Sequence, residues 1–208
     1  KTVSSIFRRV CVWTAHSLAL AVMEDTVFFA DSLEALLMLL SSRDATAKAL
    51  SAERVRQRRE ELDSNHACER LALALAANKT LLSLKLQKYP VRLCLAAALA
   101  LKQNSTLQSL QLDLDDPSMG DQTGAAMAEA FKENSTLRSL HLDLRSTGVG
   151  DLTGVAMAAA FKENTTIQSL HLDLRSTGMG HQTGMAMATA LKENSTLQSL
   201  HLDLYGIG

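Results

Sequence analysis

Ser139, His141 and Asp143 stand at i, i+2 and i+4 in one stretch of the chain, and the trio returns as Ser169, His171, Asp173 and as Ser199, His201, Asp203. These residue types suit acyl-transfer hydrolysis, with Ser as nucleophile, His as base and Asp orienting the imidazole. Their spacing argues against it. On a strand, residues two apart are separated by about 6.7 Å and share one flat surface. A nucleophile needs a sharp turn or a helix start, with an oxyanion hole beside it. A triad is also needed once, whereas this set occurs three times. His and Asp are metal ligands as well, but flat ladders do not close tetrahedrally around one ion. No catalytic residue, metal site or cofactor is therefore expected.

The elements that carry these residues repeat with a 30-residue period. Thr136 to Leu144 returns at Thr166 to Leu174 and at Thr196 to Leu204, and an earlier copy starts at Thr106. A fixed period of this size marks stacked supersecondary units that bury their apolar faces against their neighbours. Each unit reads as strand, loop, helix. In Ser139 to Arg145 polar and apolar residues alternate, so Leu140, Leu142 and Leu144 point inward on a half-buried strand. Gly148 and Gly150 are expected to take positive φ in the turn, and Asp151 to cap the helix after it. Met157, Ala160 and Phe161 form the apolar stripe of that helix, and Lys162 suits its C-terminal end. Five sequons, at Asn78, Asn104, Asn134, Asn164 and Asn194, recur with the repeat. A structural role is simpler than glycosylation: each Asn ends a helix in the left-handed conformation.

Strands about 4.8 Å apart and helices about 10 Å wide cannot stack at one spacing without bending. The expected fold is a curved α/β solenoid with parallel strands on the concave face and helices outside. Residues 64–208 form it, as about five repeats with the last truncated. Residues 1–63 do not repeat. They hold Phe7, Trp13, Phe28 and Phe29, and Leu33, Leu36, Leu37 and Leu40 at helical spacing. This region is expected to be a helical N-terminal cap, which solenoid ends require. The charged run from Glu53 to Leu62 mixes signs and reads as a solvated helix face.

The 208 residues are 47% hydrophobic and 21% charged, with a net charge of −1. That balance gives no general attraction to nucleic acid or acidic membranes. Cys11, Cys68 and Cys94 form no C-x-x-C pair, which suits free thiols in a reducing, cytoplasmic compartment. The apolar stretch from Val10 to Met23 is interrupted and too short to span a bilayer, although Arg8-Arg9 before it faintly resembles a signal peptide. Lys1 at the start and Gly208 at the end, where another turn should begin, suggest a fragment or a processed chain.

The pattern L-x-x-L-x-L, then a Gly-containing turn, then A-x-A-[FL]-K-x-N-[ST]-T-L resembles the ribonuclease-inhibitor class of leucine-rich repeats, as found in NOD-like receptors. The resemblance covers residues 65–208. It implies a leucine-rich-repeat solenoid, a fold that serves many partners. In that class an Asn usually follows the strand. Here Asp115, Arg145, Arg175 and Tyr205 occupy the region, which removes the residues expected to build a ladder of buried Asn hydrogen bonds. The first 63 residues contain no nucleotide-binding P-loop.

The candidate site is the row of side chains facing away from the core: His141, Asp143, Arg145; His171, Asp173, Arg175; His201, Asp203, Tyr205. The row before them reads Ser109, Gln111, Asp113, Asp115. Stacked Asp carboxylates about 5 Å apart repel by about 0.8 kcal/mol in water, which the Arg forks can offset. Arg and Tyr are common energetic centres of interfaces. The expected function is non-enzymatic: a protein-interaction module or scaffold. The alternatives are a GTPase activator of the Ran-activator type, with Arg145 and Arg175 near a rim, or a structural subunit of a large assembly. A protein partner is expected, and neither nucleic acid nor a membrane span.

Overall fold

A computed structural model describes residues 27–30, 33–41, 49–53 and 64–206. Seven parallel strands form one sheet in sequence order: β1 Val27–Ala30, β2 Ala49–Glu53, β3 Ser83–Gln87, β4 Ser109–Asp113, β5 Ser139–Asp143, β6 Ser169–Asp173 and β7 Ser199–Asp203. Helices lie between them: α1 Leu33–Ser41, α2 Asn65–Ala77, α3 Val91–Ala100, α4 Asp121–Glu133, α5 Asp151–Glu163 and α6 His181–Glu193. Strand order equal to chain order, with a helix crossing over each time, is what a solenoid requires. The sheet lines the inner face and the helices the outer, as the two spacings demand.

The strands form because Leu alternates with polar residues. β3 and β4 alternate half-buried and buried positions along their length. Leu110, Leu112, Leu140, Leu142, Leu170 and Leu172 are all at most 1% exposed. Against them pack Met127 and Phe131 of α4, Met157 and Phe161 of α5, and Met187 of α6. The expected helical stripe of Met157, Ala160 and Phe161 is thus in the core. Pro90 stands at the N-cap of α3, where its missing N–H leaves no helical bond unmade.

Register is uniform: Leu140 pairs Leu170 and Leu170 pairs Leu200, so equal positions become columns. The shortened repeat keeps that register, with Leu84 opposite Leu110.

The region expected as a helical cap differs in part. Its described residues hold one helix, α1, whose Leu36, Leu37 and Leu40 are buried as their spacing implies. They also hold β1 and β2, and Ala49 pairs Ser83, so the sheet runs on past the expected boundary at 63/64. The physical reason is the edge: without β2, β3 would present a row of unpaired backbone groups. Phe7, Trp13, Cys11, the stretch from Val10 to Met23 and residues 54–63 lie outside the described residues.

The sequon asparagines do not end helices in the left-handed conformation. Asn134 and Asn164 take φ −73° and −71° with ψ 130° and 125°. Their side chains do the capping. The Asn164 Oδ1 accepts from the backbone N–H of Thr166 and Ile167, both at 2.9 Å. Its Nδ2 donates to Phe131 O at 2.8 Å and Asn134 O at 2.9 Å in the preceding repeat. Asn104 and Asn134 repeat the pattern, and Asn78 reaches Leu40 O of α1. A ladder of buried Asn hydrogen bonds therefore exists, at the helix-to-strand turn rather than after the strand. The same bonds occupy the side-chain nitrogens that glycosylation would need.

The glycines of the strand-to-helix turn also act differently from expectation. Positive φ falls on Ser146 and Ser176, both at 55°. Gly148 is small because a Cβ there would lie 2.8 Å from Pro117 O. Asp151 begins α5 and caps the next helix instead of its own: its Oδ1 accepts from Gly180 N at 2.8 Å, Thr183 N at 3.0 Å and Thr183 Oγ1 at 2.6 Å. Asp121 does the same for α5. Helix N-termini expose unpaired N–H groups that favour an anionic acceptor.

Candidate interaction face

Strands β4 to β7 carry the expected His and Asp residues in register, and Arg145, Arg175 and Tyr205 follow two positions after the ends of β5, β6 and β7. The columns are continuous: Gln111, His141, His171 and His201 are register partners, and so are Asp113, Asp143, Asp173 and Asp203. The His column extends to Lys85 on β3, a member that the 26-residue spacing of the shortened repeat obscures in the sequence.

The imidazoles stack face to face. Ring centroids are 3.9 Å apart between His141 and His171, with planes 7° apart, and 4.2 Å and 17° between His171 and His201. Burial and then the neighbouring ring hold the pKa of His141 below the usual histidine range. The same two causes, in the same order, lower that of His171. A neutral stack avoids placing two cations at ring contact. Parallel rings do not converge on a point, and among the described residues no group of three His, Cys, Asp or Glu is placed to hold a metal ion.

The carboxylates interleave with the guanidiniums. The Arg145 Nε donates to Asp143 Oδ1 at 2.8 Å, and its Nη2 to Asp143 Oδ2 at 2.6 Å. The same Nε lies 3.3 Å from Asp173 Oδ2 of the next strand. Arg175 repeats this with Asp173 at 2.9 Å and 2.6 Å and with Asp203 Oδ2 at 3.3 Å. Each fork thus bridges two strands. Asp143 and Asp173 are buried beneath the Arg side chains, so they do not face solvent as the alternation implied. For Asp173 burial alone would raise the pKa. The Arg175 hydrogen bond, the Arg175 backbone N–H and the charges of Arg175 and Arg145 outweigh burial and lower it. Tyr205 takes the Arg place in the last row, with its N–H on Asp203 Oδ1 at 3.1 Å and its side chain 81% exposed.

Among the described residues the paired carboxylates bond to arginine, and the imidazoles stack on one another. The face thus holds ordered donors, acceptors and rings in fixed columns.

Fold and columns together define a leucine-rich-repeat solenoid. A solved structure described as "Leiomodin-1 Actin-Binding Site 2 (ABS2)" has the same architecture, with a TM-score of 0.51 and 23% identity over 76% of this chain and 86% of that one. No protein-family model matches the chain, and no curated protein matches it. Among the described residues no helix is long and apolar enough to cross a membrane.

Proposed function

We propose that the solvent face of β4 to β7 docks a protein partner, and that the chain is a non-enzymatic interaction module of the ribonuclease-inhibitor class with NOD-like-receptor-type repeats. The observation that carries this is the pre-organisation of the face. His141, His171, His201 and the Asp–Arg pairs are held in place before any partner arrives, which lowers the ordering cost of binding. Tyr205 adds an exposed aromatic at one end. Cys94 is a buried free thiol, which suits the cytoplasm.

The likeness to a region described as actin-binding makes monomeric actin the first defined partner to test. Against the GTPase-activator alternative, Arg145 and Arg175 each spend their forks on two carboxylates, so neither is a free finger.

The test combines Arg145→Asp, Arg175→Asp and Asp173→Arg in one variant, which reverses the three central charges of the column and leaves Asp143 and Asp203 in place. Proteins retained from native extract, and actin added in pure form, are compared on wild type and variant. The expected result is at least one partner whose retention falls tenfold or more. Identical retained sets refute the assignment.

A further inference from the structure

The repeats are not joined equally along the stack. Counted back from the seam asparagines, Val91 of α3 matches Asp121 of α4 and Asp151 of α5, and Cys94 matches Gly124 and Gly154. Between α4 and α5, Asp121 Oδ1 accepts from Gly150 N at 2.8 Å, Thr153 N at 3.0 Å and Thr153 Oγ1 at 2.7 Å. Asp151 makes the same three bonds between α5 and α6. The turns of those last repeats are tied as well, Ser146 N to Arg175 O at 3.1 Å and Gly178 N to Val149 O at 2.8 Å.

Between α3 and α4 this rim is built differently. Val91 has no acceptor to offer Gly120 or Thr123, the matching groups at the start of α4. Val91 is buried, as are Tyr89 and Met119 just before the two helix starts. The β3–β4 ladder ends at Leu86 and Leu112, one pair before the Asp pairs that close the later ladders. Of the consecutive helices from α2 to α6, α3 and α4 pack least closely. The opposite rim is intact: Asn134 Nδ2 donates to Leu101 O at 2.8 Å, Thr136 Oγ1 to Leu107 O at 3.1 Å, and Lys102 pairs Glu133 at 3.0 Å. Apolar contacts are non-directional and let packed helices slide a little, which bonds to a fixed carboxylate resist.

We propose that the solenoid carries a hinge between α3 and α4, with its axis along β3, β4 and the Asn134 turn. The helix starts at Val91 and Asp121 open and close, while β4 to β7 with α4 to α6 move as one body. Lys85 lies on one side of the hinge, and Gln111, His141, His171 and His201 lie on the other. The hinge angle therefore sets how the head of this column meets the rest. Its motion does not depend on what docks on the face, so its test needs no partner and its failure leaves the docking surface standing.

Nitroxide labels and electron–electron double resonance on the full chain read the hinge as the breadth of a distance distribution. The background carries Cys11→Ser and Cys68→Ser, and the wholly buried Cys94 stays. His66→Cys with Gln122→Cys spans the hinge between exposed second positions of α2 and α4. Gln122→Cys with Gln182→Cys is the matched pair from α4 to α6. Each pair spans two helix spacings, about 20 Å. Lys79→Cys with Ser135→Cys spans the hinge at the intact rim, again at exposed places. The first distribution should be about twice as broad as the other two, because a hinge moves most far from its axis. Asp121→Val, which copies the α3 residue into α4, should broaden the Gln122/Gln182 distribution, and an unchanged Lys79/Ser135 distance would verify folding. Equal breadth for the first two pairs, a Lys79/Ser135 distribution as broad as His66/Gln122, or no broadening in Asp121→Val overturns the proposal.

Discussion

His141 and His171 show how a side chain's meaning depends on what the next repeat places against it. Each carries a pKa below the ordinary histidine value of about 6.5 because burial and the adjacent imidazole disfavour the cation. Asp143 opposes this at His141, as does Asp113, while Lys85 reinforces it. Asp173, Asp143 and Asp203 oppose it at His171. With folded values below the unfolded one, falling pH protonates the unfolded chain first. The stability contributed by the neutral stack is therefore present above about pH 6.5 and is lost as pH falls through the lower folded-state values. Thermal unfolding followed across pH 7 to 5 should show a steeper drop in Tm for wild type than for His141→Gln/His171→Gln. Gln already stands in this column at position 111, so the replacement fits. Parallel profiles would rule the stack out as the titrating unit. The ladder itself could be read from the sequence; the burial of Asp143 and Asp173 could not, because it follows from guanidiniums folding over them.

At the scale of elements, neighbouring helices approach closely where Gly faces Thr. A Cβ on Gly124 would lie 2.3 Å from Thr153 Oγ1, and one on Gly154 2.0 Å from Thr183 Oγ1. Neither Thr can swing aside, since each hydroxyl bonds the Asp that caps its helix, at 2.7 Å and 2.6 Å. Gly124→Ala and Gly154→Ala should each destabilise by about 1–3 kcal/mol through overpacking. Gly184, at the matching place in α6, has no atom within 4 Å of its would-be Cβ. Gly184→Ala should instead stabilise by about 0.5–1 kcal/mol through helix propensity. Urea midpoints of the three variants decide this, and a common sign would contradict the packing account. The outer helix ends are linked more weakly, by exposed pairs such as Lys132–Glu163 at 3.2 Å and Lys162–Glu193 at 2.9 Å, which solvent screens.

For the molecule as a whole, stability is a sum over neighbouring repeats, and the Asn ladder is the polar seam that joins them. Asn164 touches the backbone of its own turn and of the preceding repeat in four bonds between 2.8 Å and 2.9 Å. Asn164→Ala would strand buried donors and acceptors on both sides, at a cost of about 3 kcal/mol. It should also uncouple the stack, so that amides of α6 and β7 lose exchange protection before those of α3 and β4. Uniform loss of protection along the chain would mean that the seam does not set the coupling. Asn194, half-buried, should cost less when replaced.

A period, an alternation and a Leu column are properties of nearby residues, and hydrophobic burial turns them into strands, helices and a stack wherever they occur. The sequence alone therefore determined the solenoid, the inward leucines and the columns of His and Asp. Asn164, Asp151 and Arg145 each also reach a partner about one repeat away, in residues that meet only once the units have stacked at one spacing and register. Tertiary structure alone decided that Asn caps by its side chain, that Asp151 serves the following helix and that β2 shields the edge of β3. Each of these depends on distances across the stack, and no local pattern encodes such a distance.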